Sequence, residues 1–279
     1  MTDFDGAPQG APSPLCASFV PALCRRCLSW PVRACAPRGR GYARPMPAKS
    51  HTAAADAAAA RVAAAAATTR RLLRHDRALT ARWVAGTDEV GRGALAGPLV
   101  CAAVLFDLEQ LRGHRLRPLV GLNDSKQIPP DERERLYLAV LAAAASVAVR
   151  VTPAAEIDRY GLGVSNADGL RSCLAAVARP DAACLVDYFK LGPTAPAHHS
   201  IVRGDTKSLA IAAASVVAKV TRDRLLQRLD GAYPVYGFSD HVGYGTARHT
   251  AALREHGPCP EHRRSFKVAA FAPVPGPCR

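Results

Sequence analysis

The sequence predicts an α/β fold, and three observations carry that prediction. Two apolar segments, Trp83 to Thr87 and Leu99 to Leu105, flank a glycine-rich turn, as an antiparallel pair of strands would. Beyond them strand-like and helical stretches alternate, the layout of a sheet covered by helices. Four acids, Asp88, Glu89, Asp187 and Asp205, each stand at the edge of an apolar segment, so carboxylates gather at strand ends.

The elements follow in order. Asp131 to Ala145 reads as a helix, with Pro129 and Pro130 before it and acids in its first turn, where the helix dipole favours them. Ser146 to Val151 alternates as a third strand, and Ser165 to Arg179 is a helix ended by Pro180. Ala183 to Val186 is a buried strand that delivers Asp187 at its end. Ile201 and Val202 make a short strand, and after G-D-T-K-S a long helix runs from Lys207 to Leu229.

Composition divides the chain. Up to Ala85 there are 13 Lys and Arg against 4 Asp and Glu, and beyond it 24 against 19, so +9 of the formal +14 lies in the first third. The remainder is mildly basic, which suits contact with nucleic acid through a patch. Residues 1–68 mix Pro, Arg and Cys with an alanine tract at 53–67. They are expected to be a disordered extension, with room for an alanine-rich helix near its end. The folded domain is expected over 69–279. Of nine cysteines, Cys24 and Cys27 form a lone C-x-x-C without the second pair a zinc ribbon needs, and the later ones fall in apolar runs as buried thiols. An odd total and no clear signal peptide point to a reducing compartment, the cytoplasm. No apolar run suggests a membrane span.

The chemistry is concentrated in A-G-T-D-E-V-G-R-G-A-L-A-G-P, residues 85–98. Its glycines do not have the G-x-G-x-x-G spacing of a dinucleotide loop, and no G-K-[ST] follows. Two carboxylates would repel phosphate unless they hold a divalent cation, which reverses the local field. Four acids in a basic surround suit hard cations with oxygen ligands, magnesium or manganese. Work on a phosphodiester favours two ions, about 3.5 to 4 Å apart. Asp88 and Glu89 cannot share one face of a regular strand, so one of them is expected to work from the strand end. Taken alone, Asp205 also reads as a helix N-cap and Asp187 as an exposed strand-end acid.

The segment G-T-D-E-V-G-R-G-A-L-A-G-P, then L-N-D-S-K at 122–126, G-D-T-K-S-L-A-I-A-A-A-S-V-V-A-K-V-T-R-D-R at 204–224, and G-Y-G-T with H-R-R-S-F up to residue 266 closely resemble bacterial ribonuclease HII. The resemblance runs from about Leu72 to Lys267. It implies a ribonuclease H-like fold, with a mixed central sheet flanked by helices and a helical C-terminal region, so that 69–279 is the catalytic domain. It implies cleavage of the RNA strand of RNA–DNA hybrids and cutting on the 5′ side of single ribonucleotides in duplex DNA, leaving 5′-phosphate and 3′-hydroxyl ends. It implies Mg2+ or Mn2+, two ions in the catalytic complex, held by Asp88, Glu89, Asp187 and Asp205. Gly91, Arg92 and Gly93 match the family's G-R-G turn, and Tyr244 its ribose-sensing tyrosine. A monomer with a possible sliding-clamp partner is expected. Departures are small: Val90 stands where alanine is usual, Thr87 where isoleucine is usual, and Cys259 where threonine is common. Ribonuclease HIII is less similar, having lysine within the turn and an added N-terminal domain.

The rival reading is a nucleic-acid-binding module with structural acids. Loss of any one of the four acids would favour it, and all are present. Lys126, Lys207, Lys219, Arg222, Arg263 and Arg264 are candidate phosphate contacts; Lys126 and Lys207 stand out because they sit inside the motifs. His198, His199 and His241 read as loop residues, since a magnesium site prefers oxygen.

Overall fold

The computed structural model describes residues 49–266, with side chains from residue 55. Residues 1–48, where most of the expected extension and four cysteines fall, lie outside it. Five strands form one sheet in the order β3-β2-β1-β4-β5. The strand β2 (Leu99–Asp107) is antiparallel to both of its neighbours, β1 (Trp83–Val90) and β3 (Ser146–Thr152). By contrast β4 (Ala182–Asp187) and β5 (His198–Ile201) run parallel to β1. The sheet is therefore mixed.

Side chains of β2 alternate between two cores. Val100, Ala102, Val104 and Phe106 enter one cluster, while Leu99, Cys101, Ala103 and Leu105 enter the other. This period of two explains why the strand reads as a continuous apolar run: both of its faces are covered. On the first face lie α1 (Lys49–Arg77), α2 (Pro130–Ala143) and α5 (Leu209–Ala232). On the second lie α3 (Ala154–Tyr160) and α4 (Leu162–Val177). The C-terminal region is helical, with α6 (Phe238–His241) and α7 (Ala247–His256). Gly86 makes the contact between β1 and α5 possible, because a Cβ there would stand 2.3 Å from the Ala210 carbonyl carbon.

Several boundaries differ from expectation. The alanine tract is part of a 29-residue helix that crosses residue 68 and continues to Arg77. Leu72 and Leu73 of α1 are buried. Thr69 Oγ1 accepts the Gly121 backbone N–H at 3.1 Å, and the buried Asp76 carboxylate accepts the Ala210 N–H at 3.0 Å. A protein beginning at Met46 keeps all of these. One beginning at Leu72 loses the Thr69 contact and most of α1, and is expected to melt roughly 3 to 6 °C lower in thermal denaturation. Equal melting temperatures would show that α1 before Leu72 contributes nothing.

Strand β5 begins at His198, so His198 and His199 are strand residues; the polar edge sequence H-H-S-I hides the strand. His198 works structurally, its Nε2 accepting the Leu191 N–H at 3.1 Å. His241 closes α6. Among the described residues no helix is long and apolar enough to cross a membrane.

Candidate active site

The site lies where the two central strands stop pairing. β1 and β4 are in register only as far as Thr87 and Val186, whereas β1 stays paired to β2 as far as Val90 and Val100. Asp88 and Glu89 thus occupy an overhang beside Asp187, the last residue of β4. Both acids are inside β1, yet both feel Asp187, because on the β4 side the sheet has already ended. The expectation that one of them works from the strand end extends to both, since both lie past the last β1–β4 pair.

Asp205 arrives by a different route. The long helix starts two residues later than expected, at Leu209, and Ser208 is its N-cap, accepting the Ile211 N–H at 3.3 Å. That leaves Asp205 in a 3-10 turn, Gly204–Thr206, with no capping duty. The turn is tied to the site by the Gly204 N–H, which donates to Asp187 Oδ1 at 2.6 Å.

Every one of the four acids is harder to ionise than usual. Burial raises the pKa of Asp88 well above the carboxylate range, with the charges of Glu89 and Asp187 adding to it. Burial pushes Glu89 up to about 7, opposed by Arg92. Asp187 and Asp205 are raised by burial and by Asp124. Glu89 Oε2 is buried without a hydrogen-bond partner. No three His, Cys, Asp or Glu side chains among the described residues form a ready-made cage for a metal ion. Oxygen donors that repel one another and include an unpartnered buried atom still fit a hard divalent cation, which would relieve the repulsion.

Positive charge stands opposite. Lys126 lowers the pKa of Glu89, Asp187 and Asp205, and Lys207 that of Asp187; both lysines are exposed. Exposed Arg92 lies 3.7 Å from Glu89 Oε1 and over the Phe189 ring at 4.7 Å. The sequence reading missed Asp124, which bears on Asp187 and Asp205, and the Ser125–Ser215 pair, 2.9 Å apart, whose Ser215 hydroxyl faces Asp88. The L-N-D-S-K motif that holds Asp124 and Ser125 was the available signal.

Two proposed phosphate contacts are corrected. Arg222 and Arg263 are fully buried. Arg222 donates to the carbonyls of Pro98 at 2.9 Å, Val242 at 2.8 Å and Ala96 at 3.1 Å. Arg263 donates to Gly97 O at 3.0 and 2.9 Å and to Arg92 O at 3.0 Å. They brace the glycine turn from beneath. Lys219 is engaged with Asp223 at 2.7 Å, and Arg264 remains exposed.

The turn itself needs its glycines. Gly91 has φ +97°, and a Cβ there would meet Arg222 Nε at 2.2 Å. Gly93 has open space except for the Tyr244 ring, whose Cε1 would be 3.9 Å from an added Cβ. Turn and tyrosine are therefore neighbours.

A five-stranded mixed sheet in this order, with acids gathered where its central strands part, is the ribonuclease H-like fold. Solved structures agree: ribonuclease H2 from Pyrococcus horikoshii OT3 superposes with TM-score 0.57 at 26% identity, covering 68% of this chain and 95% of that one. The ribonuclease HII of Archaeoglobus fulgidus, solved in a complex with PCNA, gives 0.55 at 25% identity, covering 66% and 95%. The sequence profile of the ribonuclease HII family matches residues 85–269. Ribonuclease HII from Salinispora tropica is 49% identical over 185 residues, 66% of this chain and 67% of that protein. That from Geobacillus kaustophilus is 42% identical over 198 residues, covering 70% and 73%. The chain belongs to the ribonuclease HII family. It is a type 2 ribonuclease H, an endonuclease acting on the RNA of RNA–DNA hybrids.

Proposed function

We propose that this ribonuclease cuts on the 5′ side of single ribonucleotides embedded in duplex DNA as well as within hybrids, leaving 5′-phosphate and 3′-hydroxyl ends. Asp88, Glu89, Asp187 and Asp205 hold divalent metal, Mg2+ or Mn2+, and two ions in the catalytic complex. The observation that carries this is that all four carboxylates are held above their usual pKa, by burial first and by neighbouring acids second, around the unpartnered Glu89 Oε2. Bound metal would polarise the scissile phosphate and lower the pKa of an attacking water. Lys126 and Lys207 meet the phosphates beside the acids. Gly91, Arg92 and Gly93 bring their backbone to the minor groove, and Tyr244 senses the 2′-hydroxyl, the group that distinguishes ribose from deoxyribose. Residues 69–279 form the catalytic domain in this reading, with the last part of α1, from Thr69 to Arg77, as its first element. The protein acts as a cytoplasmic monomer, with a sliding clamp as a partner of the kind seen for the archaeal relative.

The test is a duplex carrying one ribonucleotide, incubated with Mg2+ or with EDTA, beside an all-DNA duplex. Cutting is expected only at the 5′ side of the ribonucleotide and only with metal. Equal cutting of the all-DNA duplex, or cutting in EDTA, would sink the proposal. In the same assay Tyr244→Ala should lose cutting by more than it loses binding of all-DNA duplex, because phosphate contacts dominate affinity.

A further inference from the structure

Three buried imidazoles in the C-terminal region take no part in this chemistry. His241, His249 and His262 each have both ring nitrogens in hydrogen bonds. A neutral imidazole has one N–H and one lone pair, so its partners decide which nitrogen carries the proton. His249 Nδ1 lies 3.0 Å from the Tyr244 carbonyl oxygen, which can only accept, so Nδ1 donates. His249 Nε2 must then accept, and it meets His262 Nε2 at 3.0 Å, which therefore donates. His262 Nδ1 is left as an acceptor, and the Cys259 backbone N–H donates to it at 3.0 Å, with Cys259 Sγ 3.1 Å away. The chain has one direction, from Cys259 through His262 and His249 to Tyr244.

His241 is fixed by the same logic. Its Nε2 donates to the Tyr236 carbonyl at 2.8 Å and its Nδ1 accepts the Gly243 N–H at 3.2 Å. It stacks on His249, ring centroids 4.3 Å apart. The stacked pair thus grips the backbone on both sides of the Tyr244 residue, at the Gly243 N–H and at the Tyr244 carbonyl. Between them the Gly243 carbonyl accepts the Leu95 N–H at 2.8 Å, which ties the loop to the glycine turn.

We infer that His249 and His262 are positioning residues that hold Tyr244 against the G-R-G turn through a hydrogen-bond chain of fixed direction. The inference rests on Tyr244 being the ribose sensor. It requires both imidazoles to be neutral, and their surroundings favour that. Burial lowers the pKa of His249, and burial pushes His262 down to about 4, its coupling to the His249 ring and the nearby Arg264 and His241 acting the same way. Cys259 and the rings of Tyr236 and Phe238 also face the pair. A proton added to His262 would turn Nδ1 into a donor aimed at another donor. Because an unfolded imidazole binds its proton near pH 6.5, the contribution of the chain to stability is complete above that pH and is lost as pH falls toward about 4.

Nitrogen-15 NMR of the histidine-labelled full chain at pH 7 should find His249 protonated only at Nδ1 and His262 only at Nε2. The opposite tautomers, or an imidazolium at either position, would overturn the chain. His249→Ala should cut the one-ribonucleotide duplex about tenfold more slowly, with all-DNA duplex binding changed less than about twofold. His249→Asn, whose amide nitrogen replaces Nδ1, should recover most of that rate. Equal impairment of the two variants, or a wild-type rate for His249→Ala beside an impaired Tyr244→Ala, overturns the positioning role alone. A wild-type rate for Tyr244→Ala overturns the sensing role, and this inference with it.

Discussion

Asp88→Asn and Asp187→Asn proteins are expected to bind a ribonucleotide-containing duplex and to cut it slower by on the order of 10³-fold, the rate equivalent of roughly 4 kcal/mol. Asparagine keeps the shape and one acceptor oxygen. The Glu89 N–H, which meets Asp88 Oδ1 at 2.7 Å, and the Gly204 N–H, which meets Asp187 Oδ1 at 2.6 Å, therefore retain partners. What disappears is charge, and in the folded protein that charge is already unfavourable. The metal-free variants should consequently melt at the wild-type temperature or above it. Loss of rate without loss of stability separates a metal ligand from a structural acid. Near wild-type turnover at ordinary magnesium, or a marked fall in melting temperature, would refute the four-acid site.

The second large effect is on stability. Arg222→Met retains an unbranched stem but strands the carbonyls of Pro98, Val242 and Ala96, each now held by the guanidinium. A buried carbonyl left without a donor costs about 1–3 kcal/mol, so three of them total roughly 3 to 9 kcal/mol, a fall of about 10 °C or more for a domain of this size. Arg222→Lys should recover only part, since one ammonium group cannot span three acceptors held by a planar fork. A melting temperature within about 2 °C of wild type would show that the carbonyls find other donors.

The acids were legible in the sequence because each ends an apolar run, and apolar runs define strands whatever their partners. Arg222 and Arg263 were not, for a physical reason. Two of the three backbone carbonyls that Arg222 meets are 124 and 126 residues away, and those of Arg263 are 166 and 171 residues away. Nothing local distinguishes such an arginine from one that meets phosphate. Strand β5 was shortened because an edge strand needs no apolar pattern, and its H-H-S-I carries none. The start of α5 was misplaced because Asp205 and Ser208 are both good caps by residue type; only the Ser208 hydroxyl is in position to accept. Asp124 and Ser125 lie in a motif already noted, but their approach to Asp187 and Ser215 exists only once α5 is laid across β1.

The bracing of the glycine turn by Arg263 also orders events during synthesis. Arg92, whose carbonyl Arg263 holds, is made 171 residues earlier. At about 5–20 residues per second, a ribosome needs roughly 10 to 30 s to cover that distance. During that interval the nascent chain already has Asp88 and Glu89, while the turn beside them lacks its support. The acids come first, and the turn beside them gains this support only when Arg263 has emerged and docked.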